Sequence, residues 1–122
     1  MRKVYSKLVR DKVPSIIAAA NKRYDAQALS DTQYQLALKA KLVEEALEVQ
    51  AAASPEDLVA ELADVLEVMA ALMDAYGLDA EQVKSAQADK RARRGGFETR
   101  IELLWVEEGE AEPAVKDEAK IK

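Results

Sequence analysis

Residues 41–67 read KLVEEALEVQAAASPEDLVAELADVLE, two apolar runs at helical spacing on either side of a corner at Ala53-Ser54. Leu38, Leu42, Glu45 and Val49 step 4, 3, 4, and Leu58, Glu61, Val65, Val68 and Leu72 step 3, 4, 3, 4, which is the spacing of a buried helix seam. The link between the runs is too short for anything but an antiparallel helix hairpin. Each seam therefore turns a carboxylate inward. At roughly 100° per residue, Glu44, Glu45 and Glu48 share one side of the first helix, and Glu61 and Asp64 lie roughly 60° apart on the second. An isolated buried carboxylate costs several kcal/mol and tends to neutralise. A hard divalent cation removes that penalty, and Mg²⁺ suits oxygen ligands supplied by a few carboxylates and by substrate phosphates. Set against this, acids are common on solvated helix faces, and an EExxE run alone is usually surface. The second acidic pair, also at a seam position, tips the balance toward a site.

The rest of the composition narrows the chemistry. At 122 residues the chain is one domain with room for a real core, expected over residues 1–106. Hydrophobic residues make up 49%, much of that alanine, while aromatics reach only 5%; this favours helices over a β-sandwich. The sequence holds no Cys and no His, which excludes disulfides, thiolate or His-ligated zinc, a His general base and a Ser-His-Asp triad. Catalysis must run on carboxylates, Lys, Arg, Tyr or a hard metal ion. No run approaches the ~18–20 apolar residues of a membrane span. The opening MRKVYSKLVRDK lacks the apolar core of a signal peptide, so a cytoplasmic location is expected.

A net charge of −5 hides segregation. Residues 1–23 carry Arg2, Lys3, Lys7, Arg10, Lys12, Lys22 and Arg23 against Asp11, and residues 84–94 carry Lys84, Lys90, Arg91, Arg93 and Arg94 against Asp89. Between them, residues 41–67 hold eight acids against Lys41. An acidic centre flanked by basic segments suits a metal site bordered by phosphate-binding side chains. It suits intramolecular charge pairing equally well. A nucleic-acid binder is more often basic overall, so no nucleic-acid partner is expected.

Along the chain, residues 4–9 suit a short extended segment. Asp11 is placed to cap a short helix entered through Pro14 and ending near Asn21, and residues 24–29 are ambiguous, with a strand one option. Ser30 opens the first long helix with Gln33 in position for a capping box. Ser54 and Pro55 restart the chain as N-cap and first helical residue, and Gly77 suits a left-handed stop. Asp79 caps a further helix that Gly95-Gly96 ends. In residues 97–106, Phe97, Thr99, Ile101, Leu103 and Trp105 alternate with Glu98, Arg100 and Glu102, a half-buried strand pattern with Phe97 and Trp105 in the core. Tyr24 and Tyr34 read as core in the same way, with stacking on a base the alternative. Residues 107–122, poor in large apolar groups, read as a charged, disordered tail.

Glu44-Glu45-x-x-Glu48 followed by Glu61-x-x-Asp64 on the next helix resembles the all-α nucleoside triphosphate pyrophosphohydrolases, a superfamily that includes MazG, the helical dUTPases and phosphoribosyl-ATP pyrophosphohydrolase. KLVRDKVP at residues 7–14 is similar to the opening of its small house-cleaning members, often labelled phosphoribosyl-ATP pyrophosphohydrolase-like. KRARRGGFETRI at residues 90–101 is similar to their closing segment. The resemblance spans residues 3–106. It implies a mainly α fold, a helical hairpin resembling a four-helix bundle with short β elements, completed by assembly into homodimers or tetramers. It also implies that Glu45, Glu48, Glu61 and Asp64 ligate Mg²⁺, with Mn²⁺ as a possible substitute. Glu44 is then a further ligand, an acid that supports the ligands from just behind them or the base that orients water, and Glu44 and Glu45 are the catalytic candidates. For the substrate phosphates, Lys90 leads and Arg94 follows, while Arg10 and Lys12 reach either the nucleotide or a partner subunit. The implied reaction is hydrolysis of a nucleoside triphosphate to the monophosphate and pyrophosphate. Phosphoribosyl-ATP hydrolysis in histidine synthesis is an alternative, and a non-catalytic helical interaction module is a rival of another class.

Overall fold

The computed structural model describes residues 1–109 and residue 121. Its elements are all helices: α1 (Val13–Ala19), α2 (Asp31–Ala51), α3 (Pro55–Ala75) and α4 (Ala80–Arg94). The chain divides into two compact units, Met1–Gln87 and Ala88–Lys122.

Local chemistry sets the helix ends in the first unit. The Ser30 hydroxyl accepts from the Gln33 amide at 3.2 Å and the Gln33 side chain accepts from the Ser30 amide at 3.2 Å, a complete capping box. Ser54 accepts from the Asp57 amide at 3.1 Å, and Pro55 occupies the first helical position of α3. Glu56 and Asp57 complement the positive end of that helix. Tyr76 ends α3, and Gly77 follows with φ +64°, a conformation open to glycine at no steric cost. Asp79 then caps α4, its carboxylate accepting from the Glu81 amide at 3.0 Å.

Three residues join α2 to α3, and the two helices pack as an antiparallel hairpin through the expected seams. Leu38, at 2% exposure, and Val68, at 8%, form its apolar centre, with Leu42, Val49, Val65 and Leu72 half-buried around them. The Gln35 amide group ties the open end of the hairpin by donating to the Ala75 carbonyl at 3.0 Å.

Several expectations need correction. Asp11 does not cap α1; Lys12 holds the N-cap position without a side-chain bond, and the Arg10 carbonyl accepts from the Val13 amide instead. No strand forms among the described residues. Residues 4–9 are interrupted by Ser6 at φ +46°, and residues 24–29 are irregular. In the second unit, the expected strand at 97–106 opens with a turn, the Arg100 amide donating to the Phe97 carbonyl at 3.0 Å with Arg100 at φ +58°. Alternation supplies a two-faced ribbon, but a strand exists only as a rung in a ladder, and no partner lies beside this one among the described residues. Phe97 and Trp105 are consequently exposed, not core. Tyr24 is exposed as well, and Tyr34 half-buried. Most of the expected tail at 107–122 lies outside the described residues.

Candidate metal and phosphate site

The seams that build the hairpin also build the site. Glu45 sits on α2 between Leu42 and Val49 and is 8% exposed, buried although charged. From α3, Glu61 and Asp64 are half-buried and turn toward it. One carboxylate oxygen from each of these three residues lies within 4.8 Å of the other two. Three oxygens that close, on two rigid helices, fit the coordination habits of a hard divalent cation. Glu48, one turn beyond Glu44 on α2, is exposed and stands outside that triplet.

Glu61 bears the electrostatic cost of this crowding. Desolvation lifts its carboxyl above the ordinary range, and the charges of Glu48, Asp64, Glu45 and Asp57 raise it further. Glu44 moves the opposite way. It accepts from Lys7 Nζ at 2.9 Å and from Lys41 Nζ at 3.2 Å, and these bonds hold its carboxyl below the ordinary range despite partial burial. Lys7 is raised in return, chiefly by its bond to Glu44.

Lys41 and Arg10 join Lys7 around these acids. Lys41 Nζ lies 3.2 Å from Glu44 and 3.5 Å from Glu45, with its side chain only 16% exposed. It supplies the counter-charge that lets Glu45 stay buried. Arg10 Nη2 reaches Asp64 Oδ1 at 2.6 Å, so one phosphate candidate rests on a candidate metal ligand. Lys41 and Lys7 were not singled out from the sequence as site residues. The Lys41 signal was there, since residues three and four apart on a helix are neighbours.

The remaining candidates are placed by their own elements. Lys12 is exposed at the N-cap of α1. Lys90 and Arg94 belong to the second unit, on the last turns of α4. In that unit Arg93 pairs with Asp89 at 2.8 Å and Arg91 pairs with Glu98, which holds the Glu98 carboxyl below its usual range. Gly95, at φ +81°, stops α4 as expected.

The phosphoribosyl-ATP pyrophosphohydrolase family model matches residues 12–91, well over half of the chain. The chain belongs to that family. Its place is among the MazG-like all-α nucleotide pyrophosphohydrolases, metal-dependent hydrolases of phosphoanhydrides, and the acidic hairpin lies wholly within the matched segment. Comparison with curated proteins and with solved structures gave no match. None of the helices is long and apolar enough to cross a membrane among the described residues.

Proposed function

We propose that this pyrophosphohydrolase cleaves a nucleoside triphosphate, damaged or surplus to the pool, into the monophosphate and pyrophosphate. The observation that carries the reading is the convergence of Glu45, Glu61 and Asp64 from two helices onto one point. These residues would hold Mg²⁺, or Mn²⁺ in its place, and Glu48 is assigned to the same ion on the resemblance, its charge being felt at Glu61. When bound there, the cation neutralises phosphate oxygens and makes a coordinated water more acidic. The hairpin holds the carboxylates rigidly, so little reorganisation remains at the moment of reaction. In the hydrolytic step the water oxygen bonds to phosphorus, the bridging P–O bond between the α- and β-phosphates breaks, and pyrophosphate departs. We assign Glu44 the task of taking the water's proton. While bonded to Lys7 and Lys41 it is a weaker base than a free glutamate, so this role requires the Lys7 bond to open. Arg10 and Lys12 bind substrate phosphate, and Lys90 and Arg94 are assigned the same task on the resemblance alone.

Phosphoribosyl-ATP is the second reading, and the family match itself favours it. Against it stand the segments at 7–14 and 90–101, which resemble the house-cleaning branch. Both readings place the protein in the cytoplasm, where their substrates are. The deciding experiment is pyrophosphate release from a panel of standard and damaged nucleoside triphosphates, and from phosphoribosyl-ATP, with and without Mg²⁺. Turnover of a triphosphate that stops on Mg²⁺ removal is expected. Turnover of phosphoribosyl-ATP alone would move the protein to histidine synthesis. Silence with every substrate would leave a helical interaction module.

Assembly belongs to the same proposal. Leu36, Val43 and Leu47 lie within about 40° of one another on the side of α2 opposite its seam, and all three are exposed. On α3, Val59, Leu62 and Leu66 form a similar exposed stripe. A hairpin with a second apolar face on each helix is half of a four-helix bundle. A second copy of this chain supplies the other half, giving a homodimer or a pair of dimers.

A further inference from the structure

We infer that Lys7 and Arg10 form an exchangeable cationic latch, neutralising Glu44 and Asp64 until a divalent cation displaces them and then turning to substrate phosphate. This inference rests on the metal-site reading of Glu45, Glu61 and Asp64. Both residues reach the hairpin from the irregular segment ahead of α1, across 37 and 54 residues of sequence. Arg10 engages Asp64 Oδ1 at 2.6 Å, and Asp64 is one of the three converging carboxylates. Lys7 engages Glu44, the acid next to Glu45 in sequence.

The contrast with Lys41 defines the latch. Lys41 is carried by α2, is nearly buried, and bonds its own helix neighbours, so it cannot leave. The Lys7 and Arg10 side chains are 43% and 57% exposed. Exposed ion pairs are weak and open easily. A doubly charged ion beside Asp64 repels a guanidinium held at hydrogen-bond distance from the same carboxylate. Arg10 pairing and cation binding therefore oppose each other, and the opposition is reciprocal. Once released, Lys7 and Arg10 stay tethered beside the carboxylates, and a guanidinium suits phosphate oxygens bidentately. Phosphate that captures them keeps the latch open, so metal and nucleotide assist each other's binding.

Two measurements on the full-length chain test this without turnover. Calorimetric titration with Mn²⁺ alone should give about tenfold tighter binding to the Lys7→Gln, Arg10→Gln double variant than to the natural protein. The Arg2→Gln, Lys3→Gln double variant removes the same charge from the same segment without touching either pair, and should change affinity less than about twofold. Amide hydrogen exchange of residues 3–12 should quicken when Mn²⁺ saturates the natural protein, and should already be fast without metal in Asp64→Asn. Equal tightening in both double variants, or exchange in residues 3–12 indifferent to Mn²⁺, overturns the latch. Mn²⁺ binding that Glu61→Gln abolishes would show, in that event, that the metal site survives and only the latch has failed. Absence of Mn²⁺ binding in every variant removes the metal-site reading and the latch together.

Discussion

Glu61 is the residue at which folding and chemistry pull apart. Its carboxyl is pushed above the ordinary range by desolvation and by four neighbouring acids, so the fold favours its neutral form. A carboxyl raised in this way contributes to stability in full below its ordinary pKa, and that contribution is lost as pH climbs through the raised value. Above that raised value the ionised side chain is a cost to the metal-free protein. Glu61→Gln is therefore expected to raise the metal-free melting temperature at pH 7, by more than the same change does at pH 4. The stabilisation that Mg²⁺ gives the natural protein by binding its folded state is expected to disappear in the same variant. Thermal melts at the two pH values, with and without millimolar Mg²⁺, check both; a destabilised variant that still responds to Mg²⁺ would overturn the assignment. The sequence revealed Glu61 and Glu45 because seam periodicity decides which way a side chain faces. It did not reveal the partners of Lys7 and Arg10, because contacts across 37 and 54 residues depend on where an irregular segment lies.

At the scale of elements, what could be read ahead was what local hydrogen bonding decides. Ser30 with Gln33, Ser54 with Pro55, and Gly77 each act within one turn of chain, and each does what its residue type dictates. Ser54→Ala removes the bond that the Asp57 amide makes and should cost about 1 kcal/mol. Gly77→Ala meets no neighbouring atom but must hold φ at +64°, and should cost a further ~1 kcal/mol. Urea unfolding at fixed protein concentration checks both, as a lower midpoint with an unchanged slope. The 97–106 segment shows the opposite case. Its alternation is genuine, yet a period of two states only which side chains share a face. Pairing is decided by what else is near, and local sequence does not carry that. The unfulfilled Asp11 cap has a related cause: the chain enters α1 through a backbone turn from Arg10 to Val13, which takes the donor an aspartate would have sought.

At the scale of the whole molecule, the described residues bury few apolar side chains. Leu38 and Val68 are the buried apolar residues among those described, and the third buried position is a glutamate, Glu45. A core this small falls short of what a stable domain of this length ordinarily needs. Meanwhile Val43, at 61% exposure, and Leu66, at 65%, stand in stripes of the kind that bundle helices bury. If the stripes face solvent, Leu47→Glu and Leu66→Glu are surface changes and should alter stability by no more than about 0.5 kcal/mol. If a second copy covers them, each places a charge in an apolar interface on both sides of a symmetry axis. The natural protein is then expected to sediment as a dimer or tetramer, with a melting temperature that rises with protein concentration. Either variant should sediment as a smaller species and lose that concentration dependence. Because Glu45, Glu61 and Asp64 all belong to one hairpin, Mg²⁺ should still bind the dissociated variant, though more weakly. A natural chain that sediments as a monomer at every concentration would mean that the small core suffices alone, and that the apolar stripes need another explanation.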